Sequence, residues 1–136
     1  MTKNLFAYGT LLVPEIWRHV VGRDFPNEPA TLPGYEIRRV RDADYPAIRP
    51  SADPAAFVTG RVYRDLDDAS LARLDAYEDD LYDRIAVTLL DRSSNPVASD
   101  VYVASPIGLS RLSDDGWTLE CFLKEDFAAY FQRLIG

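Results

Sequence analysis

Apolar positions along the chain change their spacing several times, and each change marks an element. Leu5 to Leu12 is a short apolar run interrupted by Tyr8, Gly9 and Thr10, which reads as a buried strand entering a glycine turn. Pro14 suits the first turn of a helix, and Ile16, Trp17, Val20 and Val21 follow at helical spacing. A helix over Pro14–Val21 is therefore expected, with Gly22 ending it and an irregular connection from Arg23 to Pro29. A strand is predicted from Ala30 to Val40, broken or bulged at Pro33–Gly34, with Tyr35, Ile37 and Val40 inward. Tyr45 to Ile48 is a second extended piece, kept out of helix by Pro46 and Pro50. Phe57 to Tyr63 alternates like a half-buried strand, with Gly60 at a point of close approach.

Asp67 or Asp68 can cap the next helix, whose buried stripe is Leu71 and Leu74. Arg84 to Leu90 and Val97 to Ala104 read as a hairpin around the turn Asp91–Pro96. Pro106 and Gly108 then loosen the chain. Leu119, Phe122, Leu123, Phe127, Tyr130, Phe131 and Leu134 predict a long amphipathic helix that closes the core.

Two stretches carry candidate chemistry. Around Tyr8, Gly9, Thr10 and Leu11, a strand, a bend and a helix start leave backbone N–H groups pointing one way, an arrangement that suits a carboxylate or phosphate. An ordinary strand-to-helix turn has the same residues, and the further glycines and lysine of a nucleotide-binding loop are missing. The second stretch is Glu78, which stands seven residues from Leu71 and four from Leu74, on the same inward face. Burial and the neighbouring Asp75, Asp79 and Asp80 would raise its pKa from about 4.3 towards the range of a general base at neutral pH. The alternative is that the helix stops at Tyr77 and Glu78 opens a solvated acidic turn.

Composition narrows the classes. With 136 residues and 47% hydrophobic content, the chain reads as one domain over residues 1–136 with a core of its own. A formal net charge of −7 argues against nucleic-acid partners and against an anionic membrane surface. One Cys and one His make neither a disulfide nor a standard zinc site, and Glu78 to Asp83 lacks the order of a calcium loop, so metal is discounted. Cys121 reads as an idle thiol and His19 as a surface side chain. Arg38, Arg39, Arg41 and Arg49 read as a solvated face balancing nearby acids. The opening run is too short for a signal peptide or membrane span, which predicts a soluble, cytoplasmic protein.

Taken in order, these pieces resemble the gamma-glutamylcyclotransferase-like family, which includes the AIG2-like proteins. Tyr8-Gly9-Thr10-Leu11 is similar to its opening motif, and Tyr45 to Ile48 with Val58, Gly60, Val62 and Tyr63 to its middle. Leu74-Asp75-Ala76-Tyr77-Glu78, followed by Tyr82 and Arg84, resembles the segment that carries the family's catalytic glutamate. The family often has Gly where this chain has Asp79. The resemblance implies an α+β fold, a small mixed β-barrel flanked by helices, with the cavity at the barrel mouth. It also implies cleavage of a γ-glutamyl amide by the substrate's own α-amine, releasing 5-oxoproline and a free amine. Glu78 would be the general acid/base and Tyr8, Gly9, Thr10, Leu11 and Tyr82 the substrate-binding residues. Arg84 would pair with acids near the helix end. No cofactor is required, the partner is a small-molecule γ-glutamyl substrate, and the chain would be a monomer or homodimer. The alternative is a non-catalytic binding module that keeps the same cavity.

Overall fold

The computed structural model describes residues 2–136. Five strands close into a barrel in the order β1 (Lys3–Ala7), β5 (Phe57–Leu66), β2 (Asn27–Pro33), β6 (Tyr82–Asp91) and β7 (Pro96–Ala104). Four of the pairings are antiparallel, and β7 returns parallel to β1, so the barrel is mixed. Strands β3 (Tyr35–Arg39) and β4 (Pro46–Pro50) form a separate two-stranded ribbon, with Ile37 opposite Ile48. Helices α1 (Pro14–Val21) and α2 (Asp68–Glu78) pack outside the barrel, and a short α3 (Pro106–Arg111) follows β7. The C-terminal helix runs as α4 (Leu119–Cys121), a π-helical segment (Phe122–Asp126) and α5 (Phe127–Ile135). The expected small mixed barrel flanked by helices is therefore the fold observed.

Period-two alternation in β1 feeds two cores at once. Phe6 and Tyr8 join Leu32, Val58, Val62, Leu89 and Val101, the inward residues of the other four strands, to fill the barrel. Leu5 and Ala7 point the other way and meet Ile16, Trp17, Leu71, Leu74 and Phe122 beneath the helices. The barrel closes tightly where β1 crosses β5. A Cβ on Gly60 would come within 2.1 Å of the Ala7 carbonyl oxygen, so only glycine allows that approach.

Several expectations are corrected. Strand β1 stops at Ala7, and Thr10–Leu12 is a turn of 3₁₀ helix. Asn27, Glu28 and Pro29 belong to strand β2 rather than to an irregular connection, because β5 is long enough to pair with them. The expected break at Pro33–Gly34 is present, and it separates two strands of different sheets. Gly34, at φ +82°, turns the chain between them, and no bulge is involved. The segment at Pro106 and Gly108 is a helix rather than a loosened loop. Ser105 caps it by accepting from the Gly108 N–H at 3.2 Å, and Pro106 takes the first helical position.

The last helix also departs from its expected stripe. Phe122 is buried, but Leu123 is 47% exposed. A π segment holds one extra residue per turn, so it rotates everything after it by roughly 100° against an unbroken α-helix. That rotation brings Phe127, Tyr130, Phe131 and Leu134 onto the core beside Phe122 and leaves Leu123 outside.

Candidate active site

The end of β1 and the end of α2 open into one cavity of about 190 Å³. Tyr8, Gly9, Thr10 and Leu11 line one part of its wall, and Glu78 and Tyr82 line another, so the residues expected to act on or bind a substrate line one cavity. The volume lies below the roughly 300–1,000 Å³ of sites for drug-sized ligands and suits a small metabolite.

The N–H groups of the first wall are left over by the local fold. Hydrogen bonding in the 3₁₀ turn starts at Leu12, whose N–H donates to the Gly9 carbonyl at 3.0 Å, and continues from Val13 to Thr10 at 3.0 Å. Gly9, Thr10 and Leu11 precede it, as the first residues of any helical turn must, and no side chain caps them. Gly9 also fits closely against Pro46, since a Cβ there would lie 3.0 Å from Cγ of Pro46.

Glu78 is the last residue of α2, on the face that buries Leu71 and Leu74. Desolvation by the surrounding aromatic walls pushes its carboxyl up from 4.5 to about 8. No Lys, Arg or His lines the cavity among the described residues, so nothing cationic counters that rise. Helix α2 ends abruptly at the next residue. Asp79 adopts φ +61° and ψ −158°, a region essentially reserved for glycine, and the turn Asp79–Leu81 carries the chain into β6. This turn is clamped from α3. The Ser105 N–H donates to the Leu81 carbonyl at 2.9 Å, and the Ser105 hydroxyl donates to the Asp80 carbonyl at 2.6 Å. Gly108 then sits so close that a Cβ would reach the Leu81 oxygen at 2.2 Å.

One turn before Glu78, Asp75 fixes the direction of the helix. Arg84 of β6 donates to both its carboxylate oxygens, at 2.9 and 3.2 Å, and to Asp100 of β7 at 2.7 Å. The Tyr102 hydroxyl donates to Asp75 at 2.6 Å. Arg84 thus has the acid-pairing position expected of it. The other arginines are also engaged: Arg38 and Arg49 pair with Glu36, Arg39 pairs with Asp126, and Arg41 donates to the Ser110 carbonyl.

The tyrosines divide into two kinds. Tyr8 donates its hydroxyl to the Tyr102 carbonyl at 2.6 Å, and Tyr82 donates to the Pro46 carbonyl at 2.6 Å. Their single hydrogens are spent, so they serve the cavity as walls. Tyr77 and Tyr130 were not singled out from the sequence, yet their hydroxyls bond each other, and Tyr77 reaches Thr10 Oγ1 at 2.8 Å. Tyr77 immediately precedes Glu78, which was a legible signal. Tyr130 arrives from the last helix, where its helical spacing marked it only as core. Burial, then the Glu78 charge, raises the Tyr8 and Tyr82 phenols well above their ordinary range, so both stay protonated.

Solved structures place this barrel among the gamma-glutamyl cyclotransferase folds: one such enzyme aligns over 77% of this chain and 68% of its own, at TM-score 0.66 and 19% identity. A protein of Arabidopsis thaliana solved in solution aligns over 99% of this chain and 82% of its own, at TM-score 0.74 and 27% identity. The chain itself belongs to the family described as gamma-glutamyl cyclotransferase, AIG2-like, whose model matches residues 5–119. AIG2-like protein C of Arabidopsis thaliana is 34% identical over 101 residues, which span 74% of this chain and 58% of that relative. No helix among the described residues is long and apolar enough to cross a membrane.

Proposed function

We propose that this protein is a γ-glutamyl cyclotransferase that cleaves a γ-glutamyl amide by intramolecular attack and releases 5-oxoproline and a free amine. Family membership supports a cyclotransferase-type activity. The observation that carries the reading is a glutamic acid raised to about 8 in the same small cavity as three leftover backbone donors.

The substrate enters with a protonated α-amine. Ionised Glu78 takes one of its protons and frees the nitrogen lone pair. A bond then forms from that nitrogen to the γ-carbonyl carbon, while the N–H groups near Gly9–Leu11 hold the α-carboxylate and so keep the amine folded against that carbonyl. Glu78, now carrying the proton, delivers it to the leaving nitrogen as the old C–N bond breaks. Attack leaves the ring nitrogen with one surplus proton. Glu78, ionised again by its delivery, takes that proton and hands it to the departing amine. The products are a neutral lactam and an ammonium, so the proton count closes. A pKa near 8 lies close to that of an α-amine, so the transfer costs little in either direction. Folding the substrate for five-membered ring closure supplies much of the remaining acceleration, as good intramolecular geometry is worth roughly 7–11 kcal/mol. The protein acts on soluble small molecules as a cytoplasmic enzyme in this reading, and one chain carries every group the reaction uses.

The test is to incubate the purified protein with a panel of γ-glutamyl dipeptides and γ-glutamyl amines and to detect 5-oxoproline by mass spectrometry. Product that disappears in Glu78→Gln supports the assignment. Absence of product from every member, with γ-glutamyl compounds still binding, would leave a non-catalytic binding module in its place.

A further inference from the structure

Three hydroxyls run in line through the cavity wall, from Thr10 on the first turn through Tyr77 at the end of α2 to Tyr130 on α5. They carry three hydrogens, and two are consumed between them. One hydrogen is left over, and it sits at whichever end the chain of bonds points towards. An anion beside the free N–H groups of Gly9–Leu11 would orient all three hydroxyls the same way, Tyr130 donating to Tyr77, Tyr77 to Thr10 and Thr10 to the anion. Each donation strengthens the next.

The rest of the cavity offers a carboxylate no positive charge among the described residues. The hydroxyls of Tyr8 and Tyr82 are already committed to carbonyls, and outside the Thr10–Tyr77–Tyr130 chain only the Tyr45 hydroxyl, among the described residues, is free to donate. We propose that Thr10, Tyr77 and Tyr130 form a relay that recognises the free α-carboxylate of the substrate with neutral donors alone, Tyr130 acting as a positioning residue through Tyr77. Burial holds the phenols of Tyr77 and Tyr130 above their ordinary range, in keeping with donors that remain protonated. Tyr130 lies on the last helix, beyond residues 5–119 that match the family model. The π-helical segment is what turns it to the cavity wall. The inference rests on the proposed reaction for its substrate, but it concerns binding and is read independently of turnover.

The experiment compares wild type with Tyr130→Phe, Tyr77→Phe and the double variant, all shown to be folded by thermal unfolding. Calorimetry measures binding of 5-oxoproline and of its uncharged amide, and steady-state kinetics separates KM from kcat. Tyr130→Phe is expected to weaken 5-oxoproline about 3-fold and Tyr77→Phe about 10-fold, with the amide hardly affected. The double variant should match Tyr77→Phe, because Tyr130 reaches the ligand only through it. The same losses should fall on KM, with the pH midpoint of kcat/KM unmoved. Equal weakening of acid and amide, additive losses in the double variant, or no binding of 5-oxoproline to wild type would each overturn the relay. Turnover that the relay variants leave untouched overturns the relay and keeps the reaction. Carboxylate-selective binding without any 5-oxoproline formation, lost in the variants, keeps the relay and removes the reaction.

Discussion

Replacing Glu78 with Gln should abolish turnover and, at the same time, stabilise the protein by an amount that grows with pH. Burial raises the carboxyl from 4.5 to about 8, so between those values the folded state holds a proton that the unfolded state has released. A raised pKa gives stability that is complete below the unfolded value and is lost as pH climbs through the folded one. Fully developed, the gap is worth about 5 kcal/mol; linkage gives a loss of about 1 kcal/mol by pH 5.5, about 3 by pH 7 and about 4–5 by pH 8.5. Glu78 lies at a cavity open to solvent, and water there screens part of the effect, so about half is the working value. Glutamine is neutral in both states and loses nothing. The stability difference between variant and wild type should therefore widen by about 2 kcal/mol from pH 5.5 to 8.5, or about 6–10 °C in Tm for a chain of this size. Urea unfolding at pH 5.5, 7.0 and 8.5 reads this directly. Parallel curves for the two proteins, or a variant that weakens with rising pH, would refute the claim that Glu78 is desolvated.

The same pKa sets the activity profile. In the acid range kcat/KM should fall about tenfold per pH unit below a midpoint near 8, and a midpoint near 4.5 in a pH–rate profile would rule out the shifted acid. Asp79 sits at φ +61° and ψ −158°, so Asp79→Gly should raise stability by about 1–3 kcal/mol in denaturant unfolding, and an unchanged midpoint would show that the turn is unstrained. Arg84→Met removes the guanidinium shared by two carboxylates, leaving Asp75, on the helix that ends in Glu78, with the Tyr102 hydroxyl and Asp100 with Lys3. It should cost about 2–3 kcal/mol after allowing for partial exposure and should lower kcat as the helix end shifts. Arg84→Lys should restore little, because a lysine cannot bridge both acids. Activity at wild-type level in Arg84→Met would remove the link between this ion cluster and the site.

What the sequence made legible were features with a local cause. Helix α1 was readable from its apolar spacing, with Pro14 at one end and Gly22, at φ +83°, at the other. The β6–β7 hairpin was readable from its turn residues, and Gly60 from its place inside a strand. Glu78 stood out because a carboxylate does not otherwise end a buried stripe. The misses were set by partners distant in sequence. Asn27 to Pro29 are strand because β5 continues opposite them, which no local propensity reveals. Tyr130 enters the cavity wall only through the re-phasing of the last helix by its π segment, and a periodicity argument assumes an unbroken helix. The helix at Pro106–Arg111 was different: Ser105 and Pro106 are an ordinary helix-start pair, and reading Pro and Gly only as breakers obscured it.

The site is held by backbone more than by side chains. Its two active edges, the turn after β1 and the turn after α2, are each fixed where a glycine lets chains approach closer than any side chain would permit. Gly60 receives the end of β1 against the Ala7 carbonyl, Gly9 passes Pro46, and Gly108 presses on Leu81 just beyond Glu78. At Gly60 and Gly108 the contact cannot relax a few tenths of an ångström at a time, because a backbone carbonyl meets the glycine rather than the end of a flexible side chain. The donors of Gly9–Leu11 and the carboxyl of Glu78 are thus set at a fixed separation before a substrate arrives. Under those conditions a neutral wall is an advantage. A cation would pull Glu78 back towards its ordinary acidity and unfit it for the proposed role as a base near neutral pH. In the proposed reaction, the aromatic lining, the absence of Lys, Arg and His among the described residues that line the cavity, and anion recognition by amides and hydroxyls all follow from that single requirement.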